Sequence, residues 1–471
     1  MPTTVRPLEG PSTLRAGTYD LSALGYTEQE FLVEGTADSY EFVGERGADG
    51  RWEVEPSTPA PFVTRVVVRR PSDPARFSGT VAVEWLNVSA GLDNAPDWSL
   101  LHRHLVRRGH AWVGVSAQKV GIDGGGMVEG MHLKTAFPER YGLLSHPGDG
   151  WAFDIFTQVG RAVREGAGEA GSLLGGLATE RLLAVGQSQS AFFLVTYANA
   201  IDHLARCFDG FLVHGRGATG AGLEGMPVVA PDDFEAIARL MARPGEQIRD
   251  DVRVPVVVLQ SETDVSLLGG GKAKQPDGER LRQWEIAGSA HADTYVMIAG
   301  DDDDGSLSVE QLAERLRPTC EIPVVGLTTG TPINAGPQQH YVGQAAFEHL
   351  DRWAAGGAPP PPADRLAVHP DLTDFDRDEC GIAAGGVRTP WTDVPTATLS
   401  GLGQTGEVFS ILFGTTKPFT PEALVRLYPR GRDDYLARFG TALDEAIAAG
   451  FLLDDDRAEI LGVAAASSPM A

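Results

Sequence analysis

Cysteine is scarce in this chain: Cys207, Cys320 and Cys380 are the only three in 471 residues. They are far apart and form no C-x-x-C pair, which excludes the closely spaced thiolates of a zinc ribbon or a thioredoxin-like redox centre. An odd, thinly spread set also speaks against a disulfide framework, although a Cys320–Cys380 bond stays open if the fold brings the two together. Long apolar runs are missing as well. No stretch approaches the roughly 18–20 apolar residues of a membrane-spanning helix. The opening MPTTVRPLEGPSTLRAG lacks the apolar region of a secretory signal. The expectation is a soluble, cytoplasmic protein with no membrane partner. Basic residues are the third shortage: 39 Lys and Arg face 64 Asp and Glu, for a net charge of −25. A surface of that sign repels nucleic acid and anionic lipid. The run GDDDDGS at 300–306 lacks the alternating ligands and closing Glu of a calcium loop. It is expected to be a solvated turn, with no metal bound.

What is present points to a layered globular fold. Short apolar runs alternate with helical patterns, as in βαβ units that build a mostly parallel sheet. The spacing predicts strands at 30–43, 63–70, 80–86, 111–117, 181–185, 210–214, 254–260 and 282–286. Helices are predicted at 99–108, closed by Gly109, and at 151–165, 190–200 and 338–355. Insertions are expected at 121–150, 214–250 (with a helix at 231–242) and 293–335. The run GIDGGG at 121–126 has neither P-loop nor dinucleotide spacing, so it reads as a loop that implies no cofactor. The segment GGAPPPPADR ends the 338–355 helix. Residues 1–360 are read as the core, and 361–471 as a C-terminal extension packed on it. In the extension, Thr420-Pro421-Glu422 opens a helix and Gly450 closes another.

The most informative segment is RLLAVGQSQSAFFLVTYANA, residues 181–200. An apolar strand runs through Gly186-Gln187-Ser188-Gln189-Ser190 straight into an apolar helix. This is close to the G-x-S-x-G nucleophile elbow, with Ser190 in place of the last glycine. A serine on so sharp a turn needs small neighbours, and the helix N-terminus beneath it favours negative charge. Five such residues also occur by chance at ordinary strand-to-helix turns, so a base and an acid must be found. A serine hydroxyl becomes nucleophilic when a histidine takes its proton and a carboxylate orients that imidazole. The strand VPVVVLQ ends in Ser261-Glu262-Thr263-Asp264-Val265, where Asp264 is the preferred acid and Glu262 its competitor. RLRQWEI runs into Ala287-Gly288-Ser289-Ala290-His291, which makes His291 the preferred base. His340, in GPQQHYV, is the alternative and a residue of the pocket wall if it is not the base. The order serine, acid, histidine suits this elbow, and Ser188, Asp264 and His291 each follow a strand's C-terminal end, where α/β sheets hold ligands. The oxyanion hole is expected from the N–H of Gln189 and an amide of Asn87-Val88-Ser89. Trp85, Asp97 and Trp98 belong either to the pocket or to the core.

The blocks VEWLNVSAGLDNAPDW, AVGQSQSA, QSETDV, AGSAHAD, INAGPQQHYV and GGVRTPW resemble those of the large alpha/beta-hydrolase-domain family, whose members mostly have no assigned reaction. The likeness runs from about residue 20 to the C-terminus, through the region after the Pro-rich segment. It implies an α/β-hydrolase fold with Ser188, an acid in SETDV and His291 as catalytic positions. The expected activity is hydrolysis of a small carboxylic ester or lactone without a cofactor. An amidase or acyltransferase with the same triad, and a catalytically silent binding protein, are the rival readings. Oligomeric state is left open.

Overall fold

The structure, a computed structural model, describes residues 3–126, 130–169, 171–226, 243–323, 326–406 and 408–470. Nine strands form one sheet: β1 (Thr4–Leu8), β2 (Tyr26–Phe42), β3 (Val54–Pro71), β4 (Thr80–Trp85), β5 (Ala111–Val115), β6 (Arg181–Gln187), β7 (Gly210–His214), β8 (Val256–Ser261) and β9 (Leu281–Ile286). Their order is β1-β2-β3-β5-β4-β6-β7-β8-β9. From β5 to β9 all neighbours are parallel, whereas β1, β2 and β3 add an antiparallel edge. Strands β4, β5 and β7 are buried along their whole length, as expected of strands covered on both faces. β3 is much longer than its predicted segment, because its first half is largely exposed and lacks a continuous apolar pattern, while β2 starts four residues before its predicted start.

Side chains of period two divide between two cores. Val81 and Val83 of β4 face one, with Phe153, Phe156 and Phe193. Ala82 faces the other, with Leu101, Val342 and Phe347. The first is covered by α2 (Ala152–Glu165) and α3 (Gln189–Thr196), the second by α1 (Pro96–Arg108) and α4 (Gln338–Ala354). Helix α1 starts three residues before its predicted start. The cause is not local: the buried Glu84 carboxylate of β4 accepts the N–H groups of Asp97 at 3.0 Å and Trp98 at 2.8 Å. It thereby satisfies donors that a first helical turn leaves open. Gly109 ends α1 in the left-handed region, as its sequence position suggested.

The region after the Pro-rich segment shares the second core. Its helices α5 (Arg432–Ala448) and α6 (Arg457–Ala466) contribute Phe439, Leu443, Ile460 and Val463 to the cluster that holds Leu101 and Phe347. Val387 pairs in parallel with Ile286 and covers the open edge of β9. Gly401 and Leu412 then reach the loops that follow β8 and β9.

Several expectations need correction. The 300–306 turn is not wholly solvated: Asp303 is buried, paired with Arg103 at 2.7 Å and bonded by the Tyr295 hydroxyl at 2.8 Å. It is a structural anchor for α1. The three cysteines are free, so Cys320 and Cys380 do not pair. The helix predicted at 231–242 lies outside the described residues. Among the described residues, no helix is long and apolar enough to cross a membrane, and no cluster of His, Cys, Asp or Glu is arranged to hold a metal.

Candidate active site

The turn between β6 and α3 puts Ser188 at φ 62° and ψ −121°, a conformation that non-glycine residues rarely adopt. Such a backbone persists only where its surroundings enforce it. Two features do so here. The Ser188 N–H donates to the carbonyl of His214 at the end of β7, at 2.9 Å. Gly186 leaves room for the fold-back, since a Cβ there would stand 3.0 Å from both Leu194 Cδ1 and Ser190 Cβ.

The structure brings Ser188, His291 and Asp264 into one hydrogen-bonded row. Ser188 Oγ is 2.8 Å from His291 Nε2, and His291 Nδ1 is 2.5 Å from Asp264 Oδ1. Asp264 is fully buried, and its other oxygen accepts the Ser261 N–H at 2.6 Å and the Ser261 hydroxyl at 2.8 Å. Those two bonds fix the carboxylate plane and leave Oδ1 for the ring. An ionised carboxylate at Nδ1 keeps the hydrogen there, so Nε2 is free to accept from the serine. The His291 N–H is held by Thr263 Oγ1 at 3.1 Å. Gly215, at φ 67°, passes so near the ring that a Cβ would lie 3.3 Å from His291 Cε1.

The two rival residues do other work. His340 is fully buried, stacked on Tyr295 with centroids 3.8 Å apart and bonded to the Leu100 carbonyl at 2.7 Å. Burial holds its pKa well below the usual imidazole value. It is a neutral core residue, neither base nor pocket wall. Glu262 points away from His291. Its carboxylate accepts the N–H of Gly288 at 2.7 Å, the N–H of Gly401 at 2.9 Å and the Ser400 hydroxyl at 3.0 Å. Thus it ties the acid loop, the histidine loop and the C-terminal extension together, and burial raises its pKa. Glutamine at this position offers one acceptor and one donor to three donors. Glu262→Gln is therefore expected to cost about 1–3 kcal/mol of stability, measurable as a lowered denaturation midpoint with an unchanged denaturant slope.

The amides expected to form an oxyanion hole differ from expectation in one respect. Gln189 is the first residue of α3, so its N–H has no intrahelical acceptor. Neither Asn87 nor Val88 presents a free amide. Asn87 N–H bonds the Asn94 carbonyl at 2.9 Å, and the Val88 N–H is taken by the side-chain oxygen of Gln189 at 3.2 Å. Ser89 N–H bonds Asn87 Oδ1 at 2.8 Å. Asn87 acts instead through its side chain, whose Nδ2 donates to the Gln187 carbonyl at 3.0 Å and braces the elbow. The Gln189 side chain thus covers the Val88 amide, which a rotation of that side chain would release. Gln189→Ala removes the cover but neither donor, so its kcat is expected to stay within about tenfold of wild type, against the roughly 10²–10³-fold cost of losing a donor. Steady-state kinetics on any ester substrate would check this. Trp85 is core, stacked on Phe193 at 4.8 Å. Trp98 is core too, with the Arg69 guanidinium 4.5 Å above its ring. Asp97 faces His214, 2.8 Å from its Nδ1.

A parallel sheet covered by helices on both faces, with a strained serine at a strand-to-helix turn, is the architecture of an α/β-hydrolase. The family model described as "Alpha/beta hydrolase domain" matches residues 2–462, and the chain belongs to that family. No curated protein matches the sequence. Among solved structures, a cold-adapted esterase from an Arctic intertidal metagenomic library is 13% identical, with 55% of this chain and 84% of that one covered and a TM-score of 0.28. The glucuronoyl esterase from Solibacter usitatus is 10% identical over 60% of this chain and 81% of its own, with a TM-score of 0.28. A fungal esterase from Rhizomucor miehei is 11% identical over 59% and 85%, also at 0.28. The family assignment rests on the family match and on none of these distant likenesses.

Proposed function

We propose that the protein is a serine hydrolase that cleaves a carboxylic ester or lactone through an acyl-enzyme on Ser188. The observation that carries this reading is the Ser188 Oγ–His291 Nε2–Asp264 row, at 2.8 and 2.5 Å, on a strained elbow. His291 takes the hydroxyl proton as Ser188 attacks the carbonyl, then passes it to the leaving alkoxide. The same ring next takes a proton from water, which attacks the acyl carbonyl, and returns it to the departing Ser188 oxygen. Asp264 holds the tautomer and balances the imidazolium. The negative oxygen of each tetrahedral intermediate meets the Gln189 N–H, and the Val88 N–H once the Gln189 side chain turns away. A preorganised donor such as the Gln189 N–H contributes on the order of 3–4 kcal/mol to an acyl-transfer transition state.

The substrate expected on this reading is a small-molecule ester or lactone. The net charge of −25 is unfavourable for polyanions approaching at low salt. The test is a panel of p-nitrophenyl esters of increasing acyl length, with lactones, anilides and acceptor alcohols beside it. Ester or lactone turnover that saturates with substrate supports the assignment. Turnover of anilides alone, or transfer to alcohols in preference to water, would replace it with an amidase or an acyltransferase.

A further inference from the structure

A second carboxylate–imidazole pair lies behind the first. His214, fully buried at the end of β7, sets Nδ1 2.8 Å from Asp97 Oδ1 and Nε2 3.1 Å from Gln339 Oε1. The orientation of the Gln339 amide is decided by what faces its nitrogen. Nε2 donates to the Ala290 carbonyl and lies 3.4 Å from the His291 carbonyl and 3.5 Å from Asp293 Oδ2. Turning the amide over would set its oxygen against the carbonyl oxygens of Ala290 and His291. Gln339 Oε1 therefore faces His214, and the ring's Nε2 must carry a hydrogen. On its other side the ring meets a carboxylate whose remaining oxygen, Asp97 Oδ2, is buried without a partner. A ring that donates at both nitrogens satisfies every contact. The main-chain carbonyl of this same residue accepts the Ser188 N–H.

We propose that His214 is a positioning residue, kept as an imidazolium by Asp97, that holds the nucleophile and the base in register. Its main chain anchors the turn of Ser188. Its side chain, through Gln339, anchors the carbonyls of Ala290 and His291. The proposal rests on the reading of Ser188 and His291 as a hydrolytic pair. The ionisable groups that face the ring are Asp97 from α1, Asp264 from the loop after β8 and Asp293 from the loop after β9. Glu84 of β4 stands behind Asp97. Of these, Asp97 is the one bonded to the ring, at 2.8 Å. Burial opposes charge on the ring, and the bond and charge of Asp97 outweigh it, raising the pKa. Burial also pushes Asp293 up to about 7 and Glu84 well above the usual range.

The test uses the full chain and two independent readouts. The first is the ring nitrogen shifts of His214 in protein labelled with ¹⁵N-histidine, assigned by their loss in His214→Gln. Two protonated nitrogens from pH 6 to 8 are expected. One protonated and one bare nitrogen at pH 7 would overturn the proposal. The second is the rate at which a fluorophosphonate modifies Ser188, with kcat and KM for an ester. Gln339→Ala and His214→Asn, which remove the link to Ala290 and His291, should slow labelling and lower kcat by about 10–100-fold with KM little changed. His214→Gln restores a donor toward Gln339 and should recover most of that loss, a ranking that general destabilisation would not produce. Wild-type labelling rates in folded Gln339→Ala would overturn the proposal. A folded wild type that the reagent never modifies would overturn the hydrolase reading instead, while the nitrogen shifts still decide the charge of the ring.

Discussion

Ser188→Ala should reduce ester turnover by about 10⁴–10⁶-fold while leaving the fold intact. The loss follows from the single role of Oγ, the atom placed 2.8 Å from His291 Nε2. With that atom gone, no covalent intermediate forms. The remaining rate comes from water attacking a carbonyl bound near the oxyanion donors. Stability should hold or rise slightly, because the hydroxyl's one described partner is His291, which keeps its bond to Asp264. KM should change little where binding precedes slow chemistry. The measurement is kcat and KM on the best ester of the panel, with the thermal midpoint of each protein. Retention of more than about a hundredth of wild-type kcat would show that another nucleophile performs the reaction.

Asp264→Asn should lower kcat by about 10⁴-fold with little change in shape. The reason lies in which side of the new amide faces the ring. The position of Oδ2 receives two donors, the N–H and the hydroxyl of Ser261. The amide oxygen must stay there, which turns the NH₂ toward His291 Nδ1. Two donors cannot face each other, so the ring hydrogen moves to Nε2. Ser188 then meets a donor where it needs an acceptor. The same substitution at Glu262 should act differently. That carboxylate bonds Gly288, Ser400 and Gly401 and never meets the ring, so its loss falls on stability first. A larger fall in kcat for Glu262→Gln than for Asp264→Asn would reverse the two roles.

Most of what positions the candidate site is legible in the chain because it is local. The apolar strand, the small residues around Ser188 and the helix behind it are contiguous, so the elbow can be read from a twenty-residue segment. Asp264 and His291 each follow a strand by a few residues, and the parallel order of β6, β7, β8 and β9 brings their ends to one edge. What could not be read depends on distant partners. Glu262 and Asp264 sit on the same loop with the same charge. Only the arrival of Ser400 and Gly401 from the extension separates the tie from the acid. The early start of α1 is set by Glu84 on a neighbouring strand. The Asp97–His214–Gln339 chain joins three elements that have no sequence proximity. A polar residue ending the apolar strand GFLVH is its only trace. The amides of Asn87 and Val88 looked available because sequence does not reveal that Asn94 and the Gln189 side chain accept them first.

The most direct measurement is peptide mapping by mass spectrometry after the folded protein reacts with a fluorophosphonate. One phosphonyl group on the peptide that contains Ser188, lost in Ser188→Ala and sharply slowed in Asp264→Asn, is the predicted result. A folded protein that stays unmodified, or carries the group on a different residue, would contradict the account.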